Sequence, residues 1–369
     1  MRNINIQKRE ADSSSMSDVL PARNIQLLFA FCSLGRPPHP RMLDAMEAIV
    51  ISKFGGPEVL LSQQVPKPAP VVGEVLIRVK AFGVNHAEMH MRKGEWDEWN
   101  PITGLECVGT VEACPGGEVA VGSQVAGVMG GMGRNRPGGY GEYVNVPATN
   151  VVAINTNLPW EELAALPEVY CTAYSCLFTI LAIQPGERVL IRGATSTLGQ
   201  AAVNLAVNVG ANVTATTRQE TRFDMLKKMG ASDVKREQPE FSAQFSQPPL
   251  FDKTLNLIGN SMLLECIRLT RPGGRMLQAG WLGGLAPVAD FNPMVQMESG
   301  VHFSLFHSKV LGSPDFPLSG IPLQDIVDKL EKGKWDAKPS HVFDVKDIWE
   351  AHKLLDSHQA GGKIVVKRY

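Results

Sequence analysis

Residues 184–218 read QPGERVLIRGATSTLGQAAVNLAVNVGANVTATTR, and this stretch decides the fold. The turn pair Pro185-Gly186 announces a short β-branched and apolar run, Arg188–Arg192. Leu198, Ala202, Leu205 and Val209 then recur at helical spacing as one apolar stripe. Gly210 follows where a helix would end, and Asn212–Thr217 is a second β-rich run. Strand, glycine turn, helix and strand make a right-handed βαβ unit. The start of its helix offers free backbone N–H groups and the positive end of a dipole, so a phosphate can sit there.

The turn keeps the spacing of a dinucleotide fingerprint, Gly193-x-x-Ser196-x-x-Gly199, with serine in the second glycine place. Its position after a strand and at a helix start is what gives so short a pattern meaning. The bland alternative is an ordinary βα turn. The second strand ends in Thr216-Thr217-Arg218, and no Asp or Glu lies between Gly199 and Gln219. An NAD site wants an acid there for the ribose 2′-hydroxyl. Arg218 and Arg222 instead suit a 2′-phosphate, because guanidinium pairs with phosphate as a fork. The cofactor expectation is therefore NADPH over NADH, against the alternative of two solvated loop charges.

The chain has 369 residues, for which two domains are the prior expectation. It is 44% hydrophobic and 20% charged, the composition of a globular protein. A net charge of −1 leaves no electrostatic footprint for nucleic acid. Six cysteines are scattered without a C-x-x-C pair, so neither a disulfide framework nor a zinc knuckle is legible, and a cytoplasmic, reduced state is expected. Residues 1–45 differ from the rest, with Ser13–Ser15 and the proline-rich 36–40, and read as a disordered extension. Their apolar run, Leu27–Leu34, is too short to span a bilayer, which takes about 18 residues or more.

From Met46 the chain reads as short strands between Gly and Pro turns, the pattern of a barrel-like β domain. Near Leu158 the pattern turns helical, and from Arg188 strands and helices alternate as in a doubly wound parallel sheet. Helices over 322–331 and 345–357 precede a last strand, Lys363–Lys367.

The segments Gly83-Val84-Asn85, Met91–Gly94, Gly104-Leu105-Glu106, Gly138–Tyr143, Ala164–Pro167, Thr172–Tyr174, Gly193–Gly199, Arg271–Gly274 and Gly362–Val365 stand in a characteristic order. On these, Met46–Tyr369 resembles the zinc-free quinone oxidoreductases (the zeta-crystallin-like group) of the medium-chain dehydrogenase/reductase superfamily. The resemblance implies an α/β fold in which a GroES-like β-rich catalytic domain carries an inserted Rossmann domain. The implied division is residues 46–168 for the first part of the catalytic domain, 169–308 for the NADPH-binding domain and 309–369 for the return. It implies hydride transfer from NADPH to a quinone or an activated C=C or C=O acceptor without metal, in a homodimer or homotetramer. A 2-alkenal or enoyl-thioester reductase is the close alternative. An NADPH-binding structural partner with little activity is the alternative of another class.

The resemblance also distributes roles. Asn85 would stand beside the nicotinamide and donate to a developing oxyanion, or merely satisfy a turn. His90 and Trp96 fall where relatives often carry tyrosines; His90 could give a proton and Trp96 could stack on a flat ring. Thr172 matches a position near the nicotinamide. Gly193, Ser196, Thr197, Leu198 and Gly199 would hold the pyrophosphate, Thr217, Arg218 and Arg222 the 2′-phosphate, and Lys363 a cofactor phosphate. A catalytic zinc needs three protein ligands, commonly Cys and His. Asn85-His86 and Leu105-Glu106 occupy two of the expected ligand places, so no metal is expected.

Overall fold

The computed structural model describes residues 45–245, 251–284 and 286–369. The extension expected over residues 1–45 lies outside them except for Ala45, which opens the first strand. Residues 45–369 form one compact unit.

The first region is a set of antiparallel strands: β1 (Ala45–Ile51), β2 (Leu60–Pro66), β3 (Glu74–Val84), β4 (Glu106–Ala113), β5 (Gln124–Val128), β6 (Tyr143–Pro147) and β7 (Val151–Ala153). Helix α1 (His86–Lys93) interrupts them, and α2 (Trp160–Leu163) and α3 (Pro167–Tyr174) follow. Strand β3 is the hub, pairing antiparallel with both β4 and β6.

The second region holds β8 (Arg188–Arg192), α4 (Thr197–Asn208), β9 (Asn212–Thr217), α5 (Phe223–Lys228), β10 (Asp233–Arg236), β11 (Phe251–Asn256), α6 (Leu263–Leu269), β12 (Thr270–Gln278), α7 (Pro293–Gln296) and β13 (His302–Leu305). Its strands are all parallel, in the order β10-β9-β8-β11-β12-β13. This is the doubly wound arrangement, and its winding reverses between β8 and β11, where such sheets bind ligands beyond the strands' carboxyl ends. Strands β8 and β9 are buried along nearly their whole length, as a parallel sheet covered on both faces requires. The chain then passes α8 (Leu323–Glu331), β14 (His341–Asp344), α9 (Ile348–Asp356) and β15 (Ile364–Lys367). Strand β15 returns to the first sheet and pairs antiparallel with β3, Ile364 opposite Val84.

The helical pattern expected from near Leu158 is α2 and then α3, which a π-helical turn, Ser175–Ile180, continues. The helical stretch Trp160–Ile180 is long and apolar enough to cross a membrane, but 72% of its apolar window is buried inside the protein, as a core helix would be.

Candidate functional site

The turn after β8 is built to leave its helix start open. Gly193 has φ +80°, a conformation that costs glycine least. Ser196 caps α4: its hydroxyl accepts from the Gly199 N–H at 3.1 Å and donates to the Gly193 carbonyl at 2.8 Å. The serine in the second glycine place thus closes the turn. A β-carbon on Gly199 would lie 2.5 Å from the Gly193 oxygen and 2.6 Å from Ala194 Cα, so only glycine fits. The N–H groups of Thr197 and Leu198, first in α4, have no acceptor among the described residues. They and the helix dipole form a cradle that fits a pyrophosphate.

Beyond β9, Thr217 is buried and its hydroxyl accepts from the Gln219 N–H, while Arg218 is exposed. Arg222 lies against the loop before β15, where a β-carbon on Gly361 would sit 2.8 Å from its Nη2. Arg236, exposed at the end of β10, makes an ion pair with Glu220 at 3.3 Å.

Sequence reasoning missed a buried ion network under this turn. The Arg192 guanidinium, fully buried, bonds Glu237 and reaches Glu265 at 2.7 Å. Glu237 also accepts from Thr216 Oγ1 at 2.7 Å, and Thr216 Oγ1 accepts from the Gly193 N–H at 3.1 Å. No local pattern links Arg192 to residues 45 and 73 positions away.

Asn85, His90 and Trp96 lie on and just after helix α1. Asn85 caps α1, His90 lies within it and Trp96 follows it. Glu88 reaches back to the Asn85 N–H at 2.7 Å, and Gly94 ends the helix at φ 74°. The signal was available as Asn-x-x-Glu with a terminal glycine.

From its N-cap position the Asn85 side chain also joins a buried ionic cluster. Its Oδ1 accepts from Lys363 Nζ at 2.6 Å, and its Nδ2 donates to Glu106 at 3.1 Å and Glu88 at 3.2 Å. The amide orientation follows from chemistry, since only oxygen can face an ammonium and only nitrogen two carboxylates. Both N–H groups are therefore committed, and Asn85 in this state is no direct donor to an acceptor oxygen. Lys363 corrects a second expectation. It is buried, and its Nζ bonds Glu106 at 2.6 Å as well as Asn85, so its ammonium is engaged in the interior and is not free for a cofactor phosphate. Burial opposes its charge, but Glu106 and Glu168 outweigh it and raise the Lys363 pKa.

The cluster includes two further acids. Glu88, fully buried, is pushed up to about 7 by burial, against the pull of Lys363 and of N–H donors including Leu105 at 3.1 Å. Glu168, half-buried in the first turn of α3, is raised by burial and by Glu106. Its N–H donates to Glu106 Oε2 at 2.9 Å, and its Oε1 accepts from the Thr172 hydroxyl at 3.1 Å. Thr172 is thus buried against Glu168.

His90 has both ring nitrogens engaged: Nδ1 with Glu95, and Nε2 accepting from Trp281 Nε1–H at 3.5 Å. Both ring nitrogens thus have partners in this structure, and neither is free to reach an acceptor. The ring stacks on Trp96 at 5.6 Å, and Trp96 meets Trp281 at 5.5 Å. Trp281, beyond β12, extends this aromatic wall from one sheet to the other; sequence reading overlooked it.

The donor set suits zinc poorly. Leu105 cannot ligate, and the Lys363 ammonium already occupies the oxygens of Asn85 and Glu106. No group of three or more His, Cys, Asp or Glu among the described residues could hold a metal.

Residues 72–156 match the alcohol dehydrogenase GroES-like domain family, and residues 197–317 match the zinc-binding dehydrogenase family. The chain is 31% identical over 340 residues to the synaptic vesicle membrane protein VAT-1 homolog of Danio rerio, covering 86% of this chain and 69% of that protein. It is 29% identical over 339 residues to the quinone oxidoreductase of Lama guanicoe, covering 87% and 97%. A phenolphthiocerol/phthiocerol polyketide synthase of Mycobacterium tuberculosis is 28% identical over 86% of this chain, which spans 14% of that protein's length. Among solved structures, an NAD-dependent alcohol dehydrogenase at 28% identity superposes with a TM-score of 0.73 over 88% of this chain and 100% of its own.

Proposed function

We propose that this chain, which belongs to the zinc-independent quinone oxidoreductase group of the medium-chain dehydrogenase/reductase superfamily, is an NADPH-dependent reductase of quinones or conjugated carbonyl compounds that works without metal. One observation carries the reading. The turn after β8 opens on a helix start whose Thr197 and Leu198 N–H groups have no acceptor among the described residues and fit a pyrophosphate.

When bound, NADPH supplies the hydride. The chain's own residues do the rest. Thr197 and Leu198 hold the pyrophosphate through backbone N–H groups, and Gly193 and Gly199 let it approach. Arg222 and Arg218, with Thr217 beside them, take the 2′-phosphate. Trp96 and Trp281 cover a flat acceptor and exclude water, which strengthens every charge interaction inside. Asn85 fixes Lys363 and Glu106 relative to each other, so the cluster's field is set before the acceptor arrives. Negative charge growing on an acceptor oxygen near the cluster is stabilised by the ammonium. The expected homodimer or homotetramer remains part of the reading; none of the described residues pairs with the outer edge of β13, where Phe303 and Leu305 are exposed.

The test is NADPH oxidation with 1,4-benzoquinone, 9,10-phenanthrenequinone, an alkenal and a crotonyl thioester side by side. Turnover with a quinone or alkenal and indifference to chelators support the reading. Activity confined to the thioester favours a second reading, an enoyl reductase, which the polyketide synthase similarity supports. NADPH binding without turnover of any acceptor overturns both, and leaves a cofactor-binding partner protein.

A further inference from the structure

The reaction proposed above consumes one proton for each hydride, and none of Asn85, His90 and Trp96 supplies it. The Asn85 amide is committed to carboxylates, and both nitrogens of His90 are engaged. Glu168 stands differently. It touches Thr172 on its own helix, through its carboxyl, and Glu106 at the start of β4, through its backbone N–H. The neighbouring residues Glu88 and Glu106 are fully buried, whereas residue Glu168, in the first turn of α3, keeps part of its surface exposed.

We propose that Glu168 is the general acid of this site, a role that rests on the reductase reading. Hydride adds to the β-carbon of a conjugated carbonyl acceptor, and the π electrons move to the carbonyl oxygen as an enolate. The Glu168 O–H bond breaks, its proton passes to the enolate, and the electron pair stays on the Glu168 carboxylate. The oxidised cofactor and the reduced acceptor leave, and Glu168 takes a proton from water in the cleft. The Thr172 hydroxyl donates to the carboxyl and steadies the charge left on it. Burial raises the Glu168 pKa, Lys363 limits the rise and the nearby Glu106 adds to it.

The experiment compares the parent with Glu168→Gln and Glu168→Asp. NADPH affinity, read by fluorescence titration, should be unchanged in both. With an enone, Glu168→Gln should lose about 10²-fold or more in kcat, the usual range for a general acid. Its rate should lose the parent's fall at high pH and its solvent isotope effect. Glu168→Asp should recover part of both. A quinone, whose oxyanion is less basic, should suffer less. Independently of turnover, the infrared spectrum of the cofactor-free protein near neutral pH should lose protonated-carboxyl absorption on Glu168→Gln.

Parental kcat with an enone in Glu168→Gln, or an unchanged infrared band, overturns the assignment while leaving the reductase reading intact. Loss of NADPH binding in both variants also overturns it, by showing a structural role. A parent that reduces no acceptor refutes the reductase reading itself, and the donor role with it.

Discussion

Replacing Lys363 by Met separates its two assignments. The ammonium is buried and bonds Asn85 Oδ1 and Glu106 Oε1, both at 2.6 Å. Met fills similar space without donors. Glu106 would keep only the Asn85 amide at 3.1 Å and the Glu168 N–H at 2.9 Å, in a place water reaches poorly. Stranding one partner of a buried pair costs about 3–5 kcal/mol. At roughly 2–4 °C per kcal/mol, the melting temperature should fall on the order of 10 °C. Lys363→Met combined with Glu106→Gln removes the stranded charge and should recover most of the loss, as a double-mutant cycle would register. Thermal melts by circular dichroism read the stability, and fluorescence titration reads NADPH affinity. If Lys363→Met melts with the parent, the buried pair carries no stability and the reasoning fails. If it folds normally but binds NADPH about tenfold or more weakly, a charge-assisted phosphate contact of Lys363 is the better account.

Replacing Arg218 and Arg222 by Ala should erase most of the preference for NADPH over NADH, about tenfold or more per arginine for contacts of about 1.5–3 kcal/mol each; equal affinity for the two cofactors in the parent would count against it. Trp96→Ala should raise KM for bulky quinones more than it lowers kcat, since it removes a stacking surface present before and during reaction. Elemental analysis should find no stoichiometric zinc, and one zinc per chain would reverse the account of Lys363. Burial holds His352 down to about 3, against 6.5 in the free residue. Between those values the unfolded chain binds the extra proton, so the His352 contribution to stability falls as pH drops below 6.5, by about 2 kcal/mol near pH 5; a His352→Gln variant whose melting temperature changes between neutrality and pH 5 just as the parent's does would refute it.

The βαβ unit was legible because its determinants are local. The Gly193–Gly199 spacing, the Ser196 cap and the apolar stripe of α4 depend on residues three or four apart, and hydrogen bonding at that range is imposed by helix geometry itself. The missing acid after β9 was likewise readable in place. The site was legible only in part. Asn85 was found, but its role changed, because the groups that engage it lie 3, 21 and 278 residues away. What brings Lys363 there is sheet register: pairing of Ile364 with Val84 leaves Lys363 level with Asn85, one residue beyond each strand's end. A one-residue slip would turn the ammonium to the other face. His90 lost its free nitrogen to Trp281, 191 residues on, and Arg192 found its carboxylates only when β10 and α6 were packed around it. Sequence by itself determined the elements and the cofactor turn, since short-range periodicity suffices for them. Only the tertiary structure decided which charges meet, because a buried charge is tolerable only with a partner in place, and that partner comes from a distant strand or helix.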